Sequence, residues 1–327
     1  MNKSKIAVLF LLTFFAISVA PIAFAAAPDW PTKDITIIVP FSPGGGYDIQ
    51  SRIFAPLFEK YLPKKANVII SNQTGAGGKI GSIAVIKSAP NGYTIGTMSV
   101  MILALMQARG EIKGFDMRKL AWLGQLSWDP GAALVSAASG FKTVQDLTRR
   151  EVRLGTTNDS LVPNVLLARR LGLRYRLVFF EGSSDEILAA MRGDVDLIMD
   201  SWPTMKRAVN TSAGKLVPLF VAADNRLPQW TGVPSSKELG LNLAEIEPMA
   251  GSVRLLAAPS GIPSDLRAVM EKAVWAALKD PEFKANMEKA GYDATNVAPA
   301  AEAVKTAEIV LRLHEENRDI LEAVGQK

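Results

Sequence analysis

Three consecutive glycines, Gly44, Gly45 and Gly46, stand between Ser42 and Tyr47 in the stretch ITIIVPFSPGGGYD, residues 35–48. Lacking β-carbons, such a turn can aim several N–H groups at one point and admit a guest close to the main chain, which suits an anion. A second run, VIISNQTGAGGKIG at 68–81, sets Asn72, Thr74, Gly75, Ala76, Gly77 and Gly78 in the same kind of position. Either turn alone also serves as a plain connection between elements. Together they predict two sets of main-chain donors offered across a groove to a negatively charged guest.

Neither run fits a nucleotide motif. A Walker loop ending at Gly78 and Lys79 needs glycine where Gln73 stands and Ser or Thr where Ile80 stands, and Ile80 also takes the place of the third glycine in the dinucleotide pattern. The other means of catalysis are scarce. The chain has no cysteine and a single histidine, His314, in the charged stretch LRLHEENRD, where a surface position is expected. Thiol chemistry and cysteine-rich zinc sites are excluded, and a serine triad has only that one imidazole to use. No G-x-S-x-G elbow is present. No catalytic residue, metal site or cofactor is assigned.

The elements that must position the glycines follow from hydrophobic patterning. Ile35, Ile37, Ile38 and Val39 read as a strand covered on both faces, and Val68, Ile69 and Ile70 as another. Apolar residues at Ile49, Ile53, Phe54, Leu57 and Phe58 predict a helix from Asp48 or Ile49, with Pro56 a potential kink. Asp48 at its entrance is expected to cap it rather than touch an anion it would repel. Tyr47 either covers the guest or packs on the surface.

Downstream, strands are expected at Tyr93–Met98, Ala132–Ser136, Val152–Thr156, Arg176–Phe180, Val195–Met199, Leu216–Ala222 and Val253–Ala257. Helices are expected at Leu161–Leu171, Asp185–Met191, Ser264–Leu278 and Ala300–Leu321, with a short one from Thr143. This βαβ alternation predicts an α/β protein.

At 327 residues and 48% hydrophobic composition the chain is long enough for two domains with sizeable cores. Lys3 and Lys5, the apolar run Ile6–Ala20 and the sequence Ala23-Phe24-Ala25 read as a signal peptide spanning 1–25. Its apolar run is short for a membrane span, and no later stretch resembles one, so stable membrane insertion is not expected. Removing the leader lowers the formal charge from +5 to +3. With basic residues scattered, nucleic acid is not expected as a partner.

The ordered motifs DITIIVPFSPGGGYD, NQTGAGGKIGSIAVIKSAPNGYTIGTMS, FFEGSSDEILAAMRGDVDLIMDSWP and GKLVPLFVAADNRLPQWTGVPSSKELG resemble the tripartite tricarboxylate transporter solute receptors, the Bug family. The resemblance covers nearly the whole mature chain. It implies a two-lobed, type II periplasmic-binding-protein fold, each lobe a mostly parallel sheet flanked by helices and joined by two crossover hinge strands. Lobe one would comprise 26–100 plus 225–327 and lobe two 101–224. It further implies an interlobe cleft for a dicarboxylate, tricarboxylate or aromatic acid, delivery to a membrane permease, and a periplasmic location.

Ser99, at the end of its strand, is expected near the first crossing into another domain. By alignment Thr157, Asn158 and Ser160 would be lobe two's polar donors to the pocket; Ser183 either binds an anion or caps its helix, and Asp200 either accepts from a ligand or holds a hinge loop. Two departures from the family pattern stand out. Asp159 lies in TTNDSLVPN where small residues and a Ser-His pair are usual, and Glu181 replaces a basic or amide residue. Trp202 fits core and pocket equally; in the pocket, with Tyr47 and Trp128, it suits a guest with a ring or apolar body. A secreted enzyme using the same cleft, or a sensory accessory protein, are the alternatives.

Overall fold

The computed structural model describes residues 29–241, 243, 249–292 and 296–325. The expected leader lies outside them. In chain order the first elements are β1 (Ile35–Val39), α1 (Gly46–Tyr61), β2 (Val68–Asn72), α2 (Lys79–Ile86), β3 (Thr94–Ser99) and α3 (Val100–Ala108). The long strand β4 (Ala121–Ser136) is followed by β5 (Val152–Thr156), α4 (Leu161–Arg170), β6 (Tyr175–Phe179), α5 (Ser183–Arg192), β7 (Leu197–Ser201), α6 (Trp202–Thr211) and β8 (Leu216–Val221). The chain continues through β9 (Gly251–Ala258), α7 (Ser264–Leu278), α8 (Pro281–Lys289), β10 (Ala298–Pro299), α9 (Ala300–Glu316) and α10 (Arg318–Gly325).

The strands form one curled mixed sheet in the order β2-β1-β3-β9-β4-β7-β5-β6, with β8 and β10 paired to β4. Two parallel units sit at its ends. In the first, β1 lies between β2 and β3; in the second, β5 lies between β6 and β7. Each chain segment therefore steps to one side of its first strand and returns on the other. That reversal opens a crevice beyond the carboxyl ends of the strands, where ligands of open α/β sheets bind.

β4 belongs to both units. Its first residues pair antiparallel with β9, Trp122 opposite Ala257, and its last with β7 and β8, Ala133 opposite Met199 and Phe220. Only short strands at Ala132–Ser136 and Val253–Ala257 were expected here; β4 begins eleven residues earlier and passes through Pro130 and Gly131.

Four apolar layers cover the sheet. Phe54 and Phe58 of α1, fully buried and stacked at 5.4 Å, pack with Ile35, Ile37 and Met270 on one face of the first unit. Burying each ring contributes about 1.5–3 kcal/mol. Ile38, Met101 and Val310 lie in the layer on the other face, which also takes in Leu161 and Val165 of α4 and so ties the two units together. Pro56 lies inside α1, which runs unbroken through it. The second unit has its own layers around Phe220 and around Trp202.

His314 is 1% exposed on the inner side of α9, its ring nitrogen 2.9 Å from the Val310 carbonyl. This corrects the surface position expected from its charged neighbours. Val310, Leu311, Leu313 and His314 share the buried stripe, while the charges of LRLHEENRD point the other way. Burial holds the imidazole down at about 4.

Candidate functional site

The register of β1 with β2, Val39 opposite Asn72, places the two glycine turns side by side at the ends of adjacent parallel strands. They do not face each other across a groove, as expected from the sequence. Facing them is the second unit, and the space between is a cavity of about 950 Å³ lined by both. That volume suits a small organic molecule.

The first turn is built to donate. Gly45 is the extended residue before α1, and Ser42–Gly45 are exposed to the cavity. The first N–H groups of α1, on Gly46, Tyr47 and Asp48, have no carbonyl within the helix to take them, and the helix dipole adds partial positive charge there. Gly46 is required: a β-carbon there would stand 2.7 Å from the Arg254 Nη2. Asp48 has the supporting role expected of it. It is not the residue before the helix but lies in its first turn, reaching back so that its carboxylate accepts the Gly44 N–H at 2.8 Å. Burial works against its charge, yet the bonds from Arg52, Gly44 and Asn72 win and hold the carboxyl below the usual range.

The second turn is already partly engaged. Gly78 donates to the Gly75 carbonyl at 3.1 Å, and Gly77 donates across the cavity to the Glu181 carboxylate at 2.9 Å. At Gly77 (φ 61°) a β-carbon would lie 2.4 Å from the Asn158 amide, so only glycine lets the two units approach this closely.

Of the residues singled out in the sequence, Ser42, Gly44, Gly45, Gly46, Tyr47, Thr74, Gly75, Gly77, Gly78, Thr157, Ser160, Ser183 and Asp200 line the cavity. Four others do not. The Asn72 amide is turned to the Phe41 carbonyl and to Asp48, bracing the first turn. Ser99 caps α3 by accepting the Ile102 N–H and donates to Asp159. Asn158 lies against the second turn, 3.5 Å from the carbonyl of Ala76, so both belong to the contact between the units.

Tyr47 does neither thing foreseen for it alone. Its ring is 7% exposed, packed between Phe41 and the Arg254 guanidinium, and it still borders the cavity. Burial pushes its hydroxyl well above the usual tyrosine range. Trp202 packs in the layer around Met205 and Val221, and Trp128 against the layer shared by the two units; neither lines the cavity.

Arg254 was not foreseen. It stands on β9, opposite Ser99 on β3 and Ser127 on β4, is 2% exposed, and donates to Asp129 at 2.6 Å and Ser127 at 3.2 Å. Burial opposes its charge; the neighbouring Asp129 outweighs this and keeps it protonated. Its Nε has no hydrogen-bond partner, and its side chain lines the cavity. The signal was a lone arginine inside the otherwise buried strand GSVRLLAA.

The facing wall is acidic. Asp159, Glu181, Asp185 and Asp200 line it, with Thr157, Ser160 and Ser183 between them. Burial pushes the Asp159 carboxyl up to about 6 against the bond from Ser99, and the Asp200 charge adds to the rise. Among the described residues no cluster of acids and histidine could hold a metal ion, and no helix is long and apolar enough to cross a membrane.

A family model described as the tripartite tricarboxylate transporter family receptor matches residues 58–313. The chain belongs to this receptor family. BugT of Bordetella pertussis is 26% identical to the receptor over 245 residues, covering 70% of this chain and 74% of BugT. A UPF0065 protein of Agrobacterium vitis is 26% identical over 290 residues, 86% of this chain and 80% of the relative.

Among solved structures, the periplasmic binding protein BugD is 21% identical with a TM-score of 0.71, covering 89% of the receptor and 98% of BugD. A Rhodopseudomonas palustris protein solved with adipate is 20% identical with a TM-score of 0.74, covering 89% and 98%. MatC of the same organism, with bound malate, gives 22% and 0.70, covering 89% and 99%. The receptor thus shares the fold of the periplasmic solute-binding proteins, as its motifs implied.

Proposed function

We propose that this receptor captures a small organic carboxylate in the cavity between its two units, in the periplasm, and presents it to membrane permease subunits. The division between lobes is proposed within β4 near Pro130 and at Gly251 of β9 opposite it, later in the chain than the boundaries at 100/101 and 224/225 that the resemblance implies. The observation that carries the reading is the convergence of the Gly45–Tyr47 turn, the α1 N-terminus and the Arg254 side chain on one end of the cavity. A carboxylate there accepts main-chain N–H bonds beside a buried cation. Each charge-assisted bond contributes about 1.5–3 kcal/mol, and two or three with burial of the guest reach about micromolar affinity. The proteins solved with malate and adipate share this fold and support this class of guest.

The test is Gly45→Asp. A β-carbon at Gly45 meets only the Ser42 carbonyl, at 3.4 Å, so the variant should fold. Its carboxylate would stand where the guest's is bound. Loss of carboxylate binding by calorimetry with an unchanged melting temperature is the expected result; unaltered binding would sink the placement.

A further inference from the structure

The chemistry of the facing wall narrows the guest, taking the proposed carboxylate site as its starting point. Four carboxylates line the cavity against two arginines, and both arginines are engaged. Arg207 donates to the Tyr292 hydroxyl at 3.1 Å and Arg254 to Asp129. A guest with a second negative group would bring it toward a wall on which four carboxylates outnumber its one arginine, Arg207.

Glu181 adds a specific block. It belongs to the loop after β6 and reaches across to accept the Gly77 N–H at 2.9 Å. The donor that the second glycine turn would offer to a second carboxylate is taken by one the protein supplies.

The same wall offers an acceptor. Asn164, on the second turn of α4, lines the cavity and is 1% exposed. Its Nδ2 donates to the Gly155 carbonyl at 3.2 Å, and its Oδ1 has no hydrogen-bond partner. A buried carbonyl left without a donor costs free energy that a guest bearing an N–H group would recover. Asp159 and Asp200 each take a hydroxyl, from Ser99 and Ser183, and keep acceptor capacity beyond it. The Arg254 Nε is likewise buried without a hydrogen-bond partner, and Arg254 belongs to the same lining.

We infer that the guest is a monocarboxylate whose far end carries a hydrogen-bond-donating nitrogen, an ammonium or a carboxamide, and that Glu181 is the residue that turns dicarboxylates away. The carboxylate sits at the Gly45–Tyr47 turn near Arg254. The nitrogen faces Asn164 on the facing wall.

The experiment is calorimetry on the mature chain with matched sets built on succinate, glutarate and adipate: the diacid, its half-amide and the ω-amino acid of equal carbon count. In at least one set a nitrogen-bearing member should bind about tenfold or more tightly than its diacid, and the two nitrogen arms separate amide from ammonium. Glu181→Gln keeps an acceptor for Gly77 and should shrink that ratio about tenfold by tightening the diacid. A diacid that binds as well as or better than its partners in the wild type overturns the inference. So does a ratio that Glu181→Gln leaves unchanged. Diacid binding that Gly45→Asp abolishes and Glu181→Gln does not alter overturns this inference alone; binding by no member removes the carboxylate reading itself.

Discussion

The two parallel units of this receptor have the same strand order about their first strands and opposite chemistry at their crevices. Beyond β1 and β2 the loops are glycine-rich, exposed and donate main-chain N–H groups. Beyond β5, β6 and β7 they carry Asp159, Glu181 and Asp200 and mostly accept. One topology thus presents two sets of loops to the cavity, main-chain donors on one side and side-chain acceptors on the other.

The sharpest way to break this contrast is to remove the cation of the donating half. Arg254→Met takes away the charge beside buried Asp129 and should cost about 3–5 kcal/mol, read from urea unfolding. A loss under about 1 kcal/mol would mean the pair is structurally incidental. Gly45→Asp acts on the same half without touching the core. Losing two charge-assisted bonds corresponds to about 3 kcal/mol or more, at least about a hundredfold in affinity by titration.

The accepting half is tested by pH. The carboxyl of Asp159 titrates near 6 in the folded chain against an ordinary 3.8. Between those values the native state holds a proton the unfolded state has released, so stability falls as pH rises and the full penalty is present above about 6. Asp200, Arg254 and Ser99 face the carboxyl, and water in the cavity tempers the effect. Asp159→Asn should therefore raise stability at neutral pH by about 1–2 kcal/mol and flatten this part of the profile. An unchanged or lower melting temperature at neutral pH would count against it.

The smallest effect is set by His314 in the first unit, and it has the opposite slope. Its imidazole titrates near 4 in place and at 6.5 when exposed, so stability is lost as pH falls from 6.5 toward 4. At neutral pH the histidine is uncharged in both states, and His314→Gln should change stability there by less than about 1 kcal/mol. Below pH 6 the variant should lose less than the wild type does. The raised Glu186 carboxyl and the lowered Asp48 and Asp196 carboxyls also shape the wild-type profile, so each slope is read as the difference between the wild type and its variant.

Much of this architecture was legible in the sequence, and the exceptions have physical causes. β5 at Val152–Thr156 and α7 at Ser264–Leu278 fall where their patterns put them, because each has one clear period and turn residues at its ends. α3 was passed over because VMILALMQA is apolar on every side and shows no period, which is what burial of nearly the whole helix requires. α6 was hidden by Pro203, which is tolerated in the first turn of a helix.

At the site, the glycine turns were visible because they depend on local backbone chemistry. Asn72 and Ser99 sit at the right strand ends, but their side chains turn to brace neighbouring loops, a choice made by partners distant in sequence. Arg254 and Asn164 reach the cavity from β9 and α4, and only the assembled sheet brings them there.

The contact between Gly77 and Glu181 joins the loops of β2 and β6, the two outermost strands in the sheet order. β4 runs through both units at the opposite side, as a spine runs between two covers. Parting the covers about that spine moves these two loops farthest of all. An opening about that spine would break the Gly77–Glu181 bond and leave the Glu181 carboxylate at the rim, the first charge that a guest entering there would meet.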